Sequence, residues 1–411
     1  MAIWRAVFGE TLAGLQLSSC HLRTRRGLRL PRPSPLCSPP SLALVPPSSP
    51  SPAHGVFQRG ASEEGRGEKK EPPVHTPRMT ATHLGTAERS VAIGTDTFRV
   101  WEWGLSPESP GTAAPVPPAK GCPLFVLHHG AGSSALTFAF AASRLAALVS
   151  GEPGLRHSGA CVVAIDARGH GATTCANEEL ELGALANDLV NVVEAVRRDS
   201  EQEIVLVGHS MGGSVVVEAC NSGRIKNVVG VAVIDVVEGT AIESLAHMNR
   251  ILKEKPSQFR KIEDAIKWTM RSRLVQNKES AEVSVPPLLI QKADPPVYVW
   301  RTNLAASEPY WRGWFEGLSQ KFLSMKTGRL LILAGADRLD KELMIGQMQG
   351  KFQVVVYPES WHYVQEDVPA KLAESLIDFW RRNQRLAIIK RFPIPIKSPA
   401  AASPSTGALP Q

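Results

Sequence analysis

Ile204-Val205-Leu206-Val207-Gly208-His209-Ser210-Met211-Gly212-Gly213 is the stretch that decides how this 411-residue chain folds. Its four leading apolar residues make a buried strand, and the apolar segment Met211–Cys220 that follows reads as a helix. Gly-x-Ser-x-Gly between a strand and a helix is the spacing of a nucleophile elbow. A turn this sharp leaves the serine at its tip in a strained backbone conformation. Side chains two positions before and after would collide, which places glycine at 208 and 212. The first turn of the helix presents unpaired N–H groups, so the Met211 N–H is a candidate donor to an oxyanion.

Outward from the elbow, apolar runs alternate with helical segments. Thr97–Trp103 alternates like an early strand, while Pro123–His128 and Ala160–Ile165 are continuous apolar runs. Leu182–Arg198 places Leu185, Leu189, Val192, Val193 and Val196 at helical spacing, one buried face. Val228–Ile234, Leu330–Leu333 and Phe352–Tyr357 are further strands, and Leu372–Arg382 closes the pattern as an amphipathic helix. Strands apolar throughout, each followed by a helix, imply an α/β protein: a mostly parallel central sheet with helices on both faces. In such sheets chemistry gathers at the carboxyl ends of the strands.

A serine needs a base to take its proton and a second N–H to complete an oxyanion hole. His129-Gly130-Ala131-Gly132 follows an earlier strand, where that second donor belongs, and Ala131 is the expected residue. The similar Asp166–Gly171 stretch reads as a structural turn, with His170 holding loops together. Folds built on this elbow order their triad as serine, acid, histidine. Only His247 and His362 follow Ser210. His247 sits in the helical stretch Ala241–Lys253, away from a strand end. His362 lies just past Phe352–Tyr357, where the base belongs. For the acid, Asp337 follows Leu330–Leu333 and Asp235 follows Val228–Ile234; position alone slightly favours Asp337 and leaves both open.

Composition narrows the classes. Residues 1–80 hold 12 of the 32 prolines, with 11 basic and 5 acidic residues, and Gln384–Gln411 adds four basic residues and no acid. Ala81–Asn383 is left with 31 basic and 34 acidic residues, so the excess positive charge belongs to the ends, and a nucleic-acid-binding body is not expected. Pro31–Pro52 and Glu63–Pro77 lack the apolar surface to offset chain entropy. Residues 1–80 therefore read as a disordered basic extension, 81–383 as the folded domain and 384–411 as a disordered basic tail. Met1–Leu30 carries five arginines against Glu10 alone, a bias that also fits an organellar transit peptide. No apolar run reaches ~18 residues, so no membrane span is expected. The six cysteines form no metal-binding spacing and read as free thiols.

Several segments resemble the protein phosphatase methylesterases, a family of the α/β-hydrolase fold. They are Gly208–Gly213 (GHSMGG), Ile234–Ala241 (IDVVEGTA), Tyr310–Leu318 (YWRGWFEGL) and Leu333–Phe352 (LAGADRLDKELMIGQMQGKF). The second and the GQMQGKF portion of the last discriminate far better than the elbow. The resemblance covers roughly Thr95–Trp380. It implies Asp235 as the acid, giving Ser210, Asp235 and His362 as the triad, with Asp337 kept as the alternative. It implies, as substrate and partners, the type 2A protein phosphatase catalytic subunit and its core complex. The methyl-esterified C-terminal leucine of that subunit would be hydrolysed, with no cofactor and no metal. A broad small-molecule esterase, or a phosphatase-binding protein with secondary catalysis, stands as the alternative. The cytoplasm is the expected compartment, with the nucleus open, or an organelle if Met1–Leu30 is a transit peptide.

In this fold the long separation Gly239–Thr327 is where a lid is inserted, and it carries Trp268, Tyr298, Trp300, Tyr310, Trp311 and Trp314. They suit equally a groove that grips a peptide tail and a core for the lid itself. Two features depart from the family: Trp361 stands where it has a small residue before the histidine, and Lys278–Pro296 is short where some relatives carry a long acidic insertion.

Overall fold

Residues 84–104, 122–152, 155, 160–292, 296–335 and 339–391 are described by the structure, a computed structural model. Met1–Leu30, Pro31–Pro52, Glu63–Pro77 and Asp337 lie outside the described residues. In chain order the elements begin with β1 (Thr86–Ile93), β2 (Asp96–Trp103), β3 (Leu124–His128), α1 (Ala139–Ser150), β4 (Val162–Ile165) and α2 (Leu182–Val196). β5 (Ile204–His209), α3 (Met211–Asn221) and β6 (Val228–Ile234) follow. An insertion then contributes α4 (Glu238–Glu254), β7 (Gln258–Phe259), α5 (Ile262–Arg271), α6 (Lys278–Ser284), β8 (Leu289–Lys292), β9 (Val297–Trp300), α7 (Trp311–Phe315) and α8 (Leu318–Ser324). The chain returns through β10 (Gly328–Leu333), α9 (Lys341–Met348), β11 (Gln353–Val356), α10 (Val364–Asp367) and α11 (Pro369–Arg391).

The main sheet has eight strands in the order β1-β2-β4-β3-β5-β6-β10-β11. The β1–β2 and β2–β4 pairings are antiparallel, and every pairing from β4 to β11 is parallel. Every residue of β3, β4 and β5 is buried, because helices cover both faces. Alternate side chains sort to opposite faces. Val126, Val163, Leu206, Val233 and Leu331 join one core with Leu185 and Leu189 of α2 and Val215 and Val216 of α3. Phe125, Leu127, Val162, Val205, Ala232 and Ile332 join another with Leu145 of α1 and Leu372, Leu376 and Phe379 of α11. Each fully buried Leu, Val or Phe contributes about 1.5–3 kcal/mol, so the two layers hold the strand ends in fixed relative positions.

Among the elements that differ from the sequence reading are β1 and the closing helix. β1 is absent from it: the TAERSVAI sequence is polar because this is an edge strand with only Val91 buried. The closing helix runs to Arg391, past Asn383, where the disordered tail is expected to start. Gln384–Arg391 contains neither Gly nor Pro, and the first helix-breaking residue is Pro393. The insertion builds its own antiparallel sheet, β7-β9-β8, over a small core of Phe259, Ala265, Ile266, Ala281, Val285 and Leu289. No helix among the described residues is long and apolar enough to cross a membrane. Cys122, Cys161, Cys175 and Cys220 are free thiols.

Candidate active site

Ser210 stands between the end of β5 and the start of α3 with φ 52° and ψ −122°. That conformation costs on the order of 1–3 kcal/mol and persists because its surroundings over-determine it. Its N–H donates to the Ile234 carbonyl at 2.9 Å, and its own carbonyl accepts from the Gly213 N–H at 2.8 Å. A Cβ on Gly208 would lie 2.0 Å from the Gly212 carbonyl oxygen, so the turn closes only with glycine there. At 212 the obstacle is the neighbouring strand: a Cβ would lie 2.3 Å from the His128 carbonyl oxygen at the end of β3. Met211 follows as the first residue of α3, its N–H within the helix's unpaired first turn.

Asp235 follows β6 directly, its own φ at 49°. Its N–H donates to the Ile332 carbonyl of β10 at 2.7 Å, and its Oδ1 accepts from the Ala334 N–H at 2.9 Å. These two bonds turn Oδ2 toward His362, whose Nδ1 lies 2.8 Å away. A carboxylate can only accept, so Nδ1 carries the proton and Nε2 is left as the basic nitrogen. The Asp235 side chain is fully shielded from solvent, while that of His362 is 13% exposed, toward the cavity. His247 is exposed on α4 and does not line that cavity.

His209, inside the elbow motif, buttresses the base. Its ring lies 4.6 Å from that of His362, and its Nε2 is 2.9 Å from the His362 carbonyl oxygen. The carbonyl accepts, so Nε2–H donates. Burial pushes the His209 pKa down to about 3, so the ring stays neutral beside the base. Sequence reasoning passes over this residue, although its place between Gly208 and Ser210 marks it as lying against the site.

The His129–Gly132 loop sits beside the elbow and is held by a histidine relay. His129 Nε2 accepts from the Ala167 N–H at 3.0 Å, which leaves its Nδ1–H to donate to the Gly130 carbonyl at 2.7 Å. His170 Nε2 accepts from the Gly132 N–H at 2.9 Å while its Nδ1–H donates to the Arg168 carbonyl. His170 thus ties the two loops together, as its sequence position suggests. It also engages the Gly132 N–H, while Ala131 beside it lines the cavity. Asp166 accepts from the Ala135 and Ala172 N–H groups, and Arg168 forks onto Asp188 and reaches Asp96, pinning the second loop in turn. Burial lowers the pKa of both His129 and His170, so the relay is uncharged.

Ser210, Asp235, His362, Ala131 and Gly132 line one cavity that opens to solvent. Its other wall comes from the insertion: Leu245, Met248, Leu252 and Lys255 from α4 and its end, Trp268 from α5, and Trp311, Trp314 and Phe315 from α7. The insertion's tryptophans divide between the cavity lining and its own core. Trp311 and Trp314 are buried in the main core and also line the cavity, whereas Trp300 packs edge-on against Phe259 and Trp268 in the insertion's own core. Trp361 does not line the cavity; its backbone N–H donates to Asp367 Oδ2. No motif marks Lys255, and only the fold brings it to the cavity.

The α/β hydrolase family matches residues 125–375. Protein phosphatase methylesterase 1 of Yarrowia lipolytica is 46% identical, over 72% of this chain and 71% of that protein. The same-named protein of Schizosaccharomyces pombe is 45% identical over 66% of this chain and 78% of its own length. Among solved structures, E-2-(acetamidomethylene)succinate hydrolase superposes with a TM-score of 0.56 at 21% identity, over 72% of this chain and 99% of that one, a likeness of fold. The chain belongs to the protein phosphatase methylesterases, carboxylic ester hydrolases of the α/β-hydrolase family.

Proposed function

We propose that this protein hydrolyses the methyl ester on the carboxy-terminal leucine of a type 2A protein phosphatase catalytic subunit, using Ser210 as nucleophile, His362 as base and Asp235 as its orienting acid. The observation that carries the chemistry is the 2.8 Å His362–Asp235 hydrogen bond beside the cavity that Ser210 lines. Kinship with methylesterases at 43–47% identity supports the substrate. An apolar cavity wall suits a leucine side chain.

His362 Nε2 takes the Ser210 proton as Oγ attacks the ester carbonyl. Negative charge then develops on the carbonyl oxygen, where the Met211 and Ala131 N–H groups donate to it. Asp235 holds the imidazole in the Nδ1–H tautomer and stabilises its protonated form. Collapse of the intermediate expels methanol, which takes the proton from His362, and leaves the leucine acyl group on Ser210. Water, deprotonated by the same imidazole, adds to that acyl-enzyme; a second collapse frees the carboxylate and returns the proton to Ser210. The test is methanol release from carboxymethylated phosphatase, run beside a small chromogenic ester. Release that disappears in Ser210→Ala is the expected result. Turnover of the small ester alone would overturn the substrate assignment.

A further inference from the structure

Lys255 caps the carboxyl end of α4 and lines the cavity that holds Ser210 and His362. Its ammonium lies 3.6 Å from the centre of the Trp300 ring. That ring is fixed: its Nε1–H donates to the Pro256 carbonyl at 2.7 Å, and it packs edge-on with Phe259 and Trp268. An aromatic face attracts a cation but does not neutralise it. Burial alone pushes the Lys255 pKa down, to about 8, with no described carboxylate pulling it back up. Lys255 is also the one lysine or arginine among the described lining residues, and the only carboxylate among them, Asp235, is engaged by His362.

A half-buried ammonium on a low-dielectric wall gains far more from an incoming anion than an exposed one does. A methyl ester carries no charge, so the anion has to come from elsewhere on the substrate. One ammonium balances the single charge of a carboxylate, whereas a phosphate dianion would leave uncompensated negative charge against the apolar wall. Lys255 and Ser210 line the same solvent-open cavity, so a chain held at the serine by its esterified end can run past the ammonium. We propose that Lys255 is a specificity-determining residue: it receives the side-chain carboxylate of an acidic residue a few positions upstream of the esterified terminus, while the apolar wall takes the terminal side chain. This rests on the methylesterase reading and extends it to the substrate sequence.

The test uses the full-length protein and a series of peptide α-methyl esters that share one apolar terminal residue. A single Asp is walked through the upstream positions, each peptide paired with its Asn isostere. For one position the wild type should give an Asp/Asn ratio in kcat/KM of about ten or more, carried by KM, the size expected of a hydrogen bond to a charged group. The ratio should collapse toward one in Lys255→Met and persist in Lys255→Arg, whose retained preference would show that the site is folded. A ratio near one at every position in the wild type, or a ratio that survives in Lys255→Met, overturns the proposal. Turnover of no peptide ester, charged or neutral, would instead overturn the methylesterase reading beneath it.

Discussion

Nδ1 of His362 lies 2.8 Å from Oδ2 of Asp235 across 127 positions of sequence. The contact exists because β6 and β10 pair in parallel register, Ile234 beside Ile332, so that the chain leaving β6 is anchored by β10 just where the carboxylate is needed. Ala334 then fixes one carboxylate oxygen and leaves the other for the imidazole.

Asp235→Asn should lower kcat for a methyl ester by about 10³–10⁴ with little change in fold. The Ala334 N–H will select the amide oxygen of the asparagine, which turns its NH₂ toward His362. Nδ1 must then accept, and the proton moves to Nε2, the nitrogen that has to be basic. Asp337→Asn, measured in parallel, should cost no more than a few-fold. The reverse ranking would reassign the acid.

Positioning of the base by His209 predicts a graded series. His209→Gln keeps a donor for the His362 carbonyl and should retain more activity than His209→Ala, which should lose on the order of tenfold to a hundredfold in kcat. Thermal melting of both variants separates the loss of a donor from the loss of packing. Equal activity in the two would remove His209 from the account.

Much of this site is legible in the order of residues alone. The elbow announces itself because a strand, a tight turn and a helix each leave a local signature within ten residues, and His362 can be chosen because only one other histidine follows the serine. The acid cannot, since Asp235 and Asp337 both follow core strands and only the resemblance to a family separates them. β7, β8 and β9 escape for a different reason: strands of two and four residues are too short for a period of two to stand out. The cavity role of Lys255 is a property of the insertion folding back over the sheet, which leaves no mark on the residues beside it.

Two glycines should respond in opposite ways to alanine. Gly212→Ala drives a methyl group into the backbone at His128 and His129 and should destabilise by at least ~1–3 kcal/mol. Gly183, exposed near the start of α2, has nothing within 4 Å of its would-be Cβ, so Gly183→Ala should stabilise by up to ~1 kcal/mol. Denaturant melts give both signs directly.

Stability should also carry a pH signature from Glu366. This carboxyl is buried against the Ser284 hydroxyl at 2.5 Å, and burial raises its pKa from 4.5 to about 8. Between those values the folded protein keeps a proton that the unfolded chain has released, so this group's contribution falls as pH rises from about 4.5 to about 8. Glu366→Gln removes that dependence. The melting temperature of the variant relative to wild type should therefore climb by several degrees between pH 5 and pH 8. A difference constant with pH would contradict it.

The activation of Ser210 is tested most directly by the rate at which a fluorophosphonate labels it, read by intact mass and peptide mapping. Wild type should be labelled at Ser210, and His362→Ala should label about 10²–10⁴ times more slowly, the usual share of general-base help. Labelling at an undiminished rate in His362→Ala, or at a residue other than Ser210, would contradict the account.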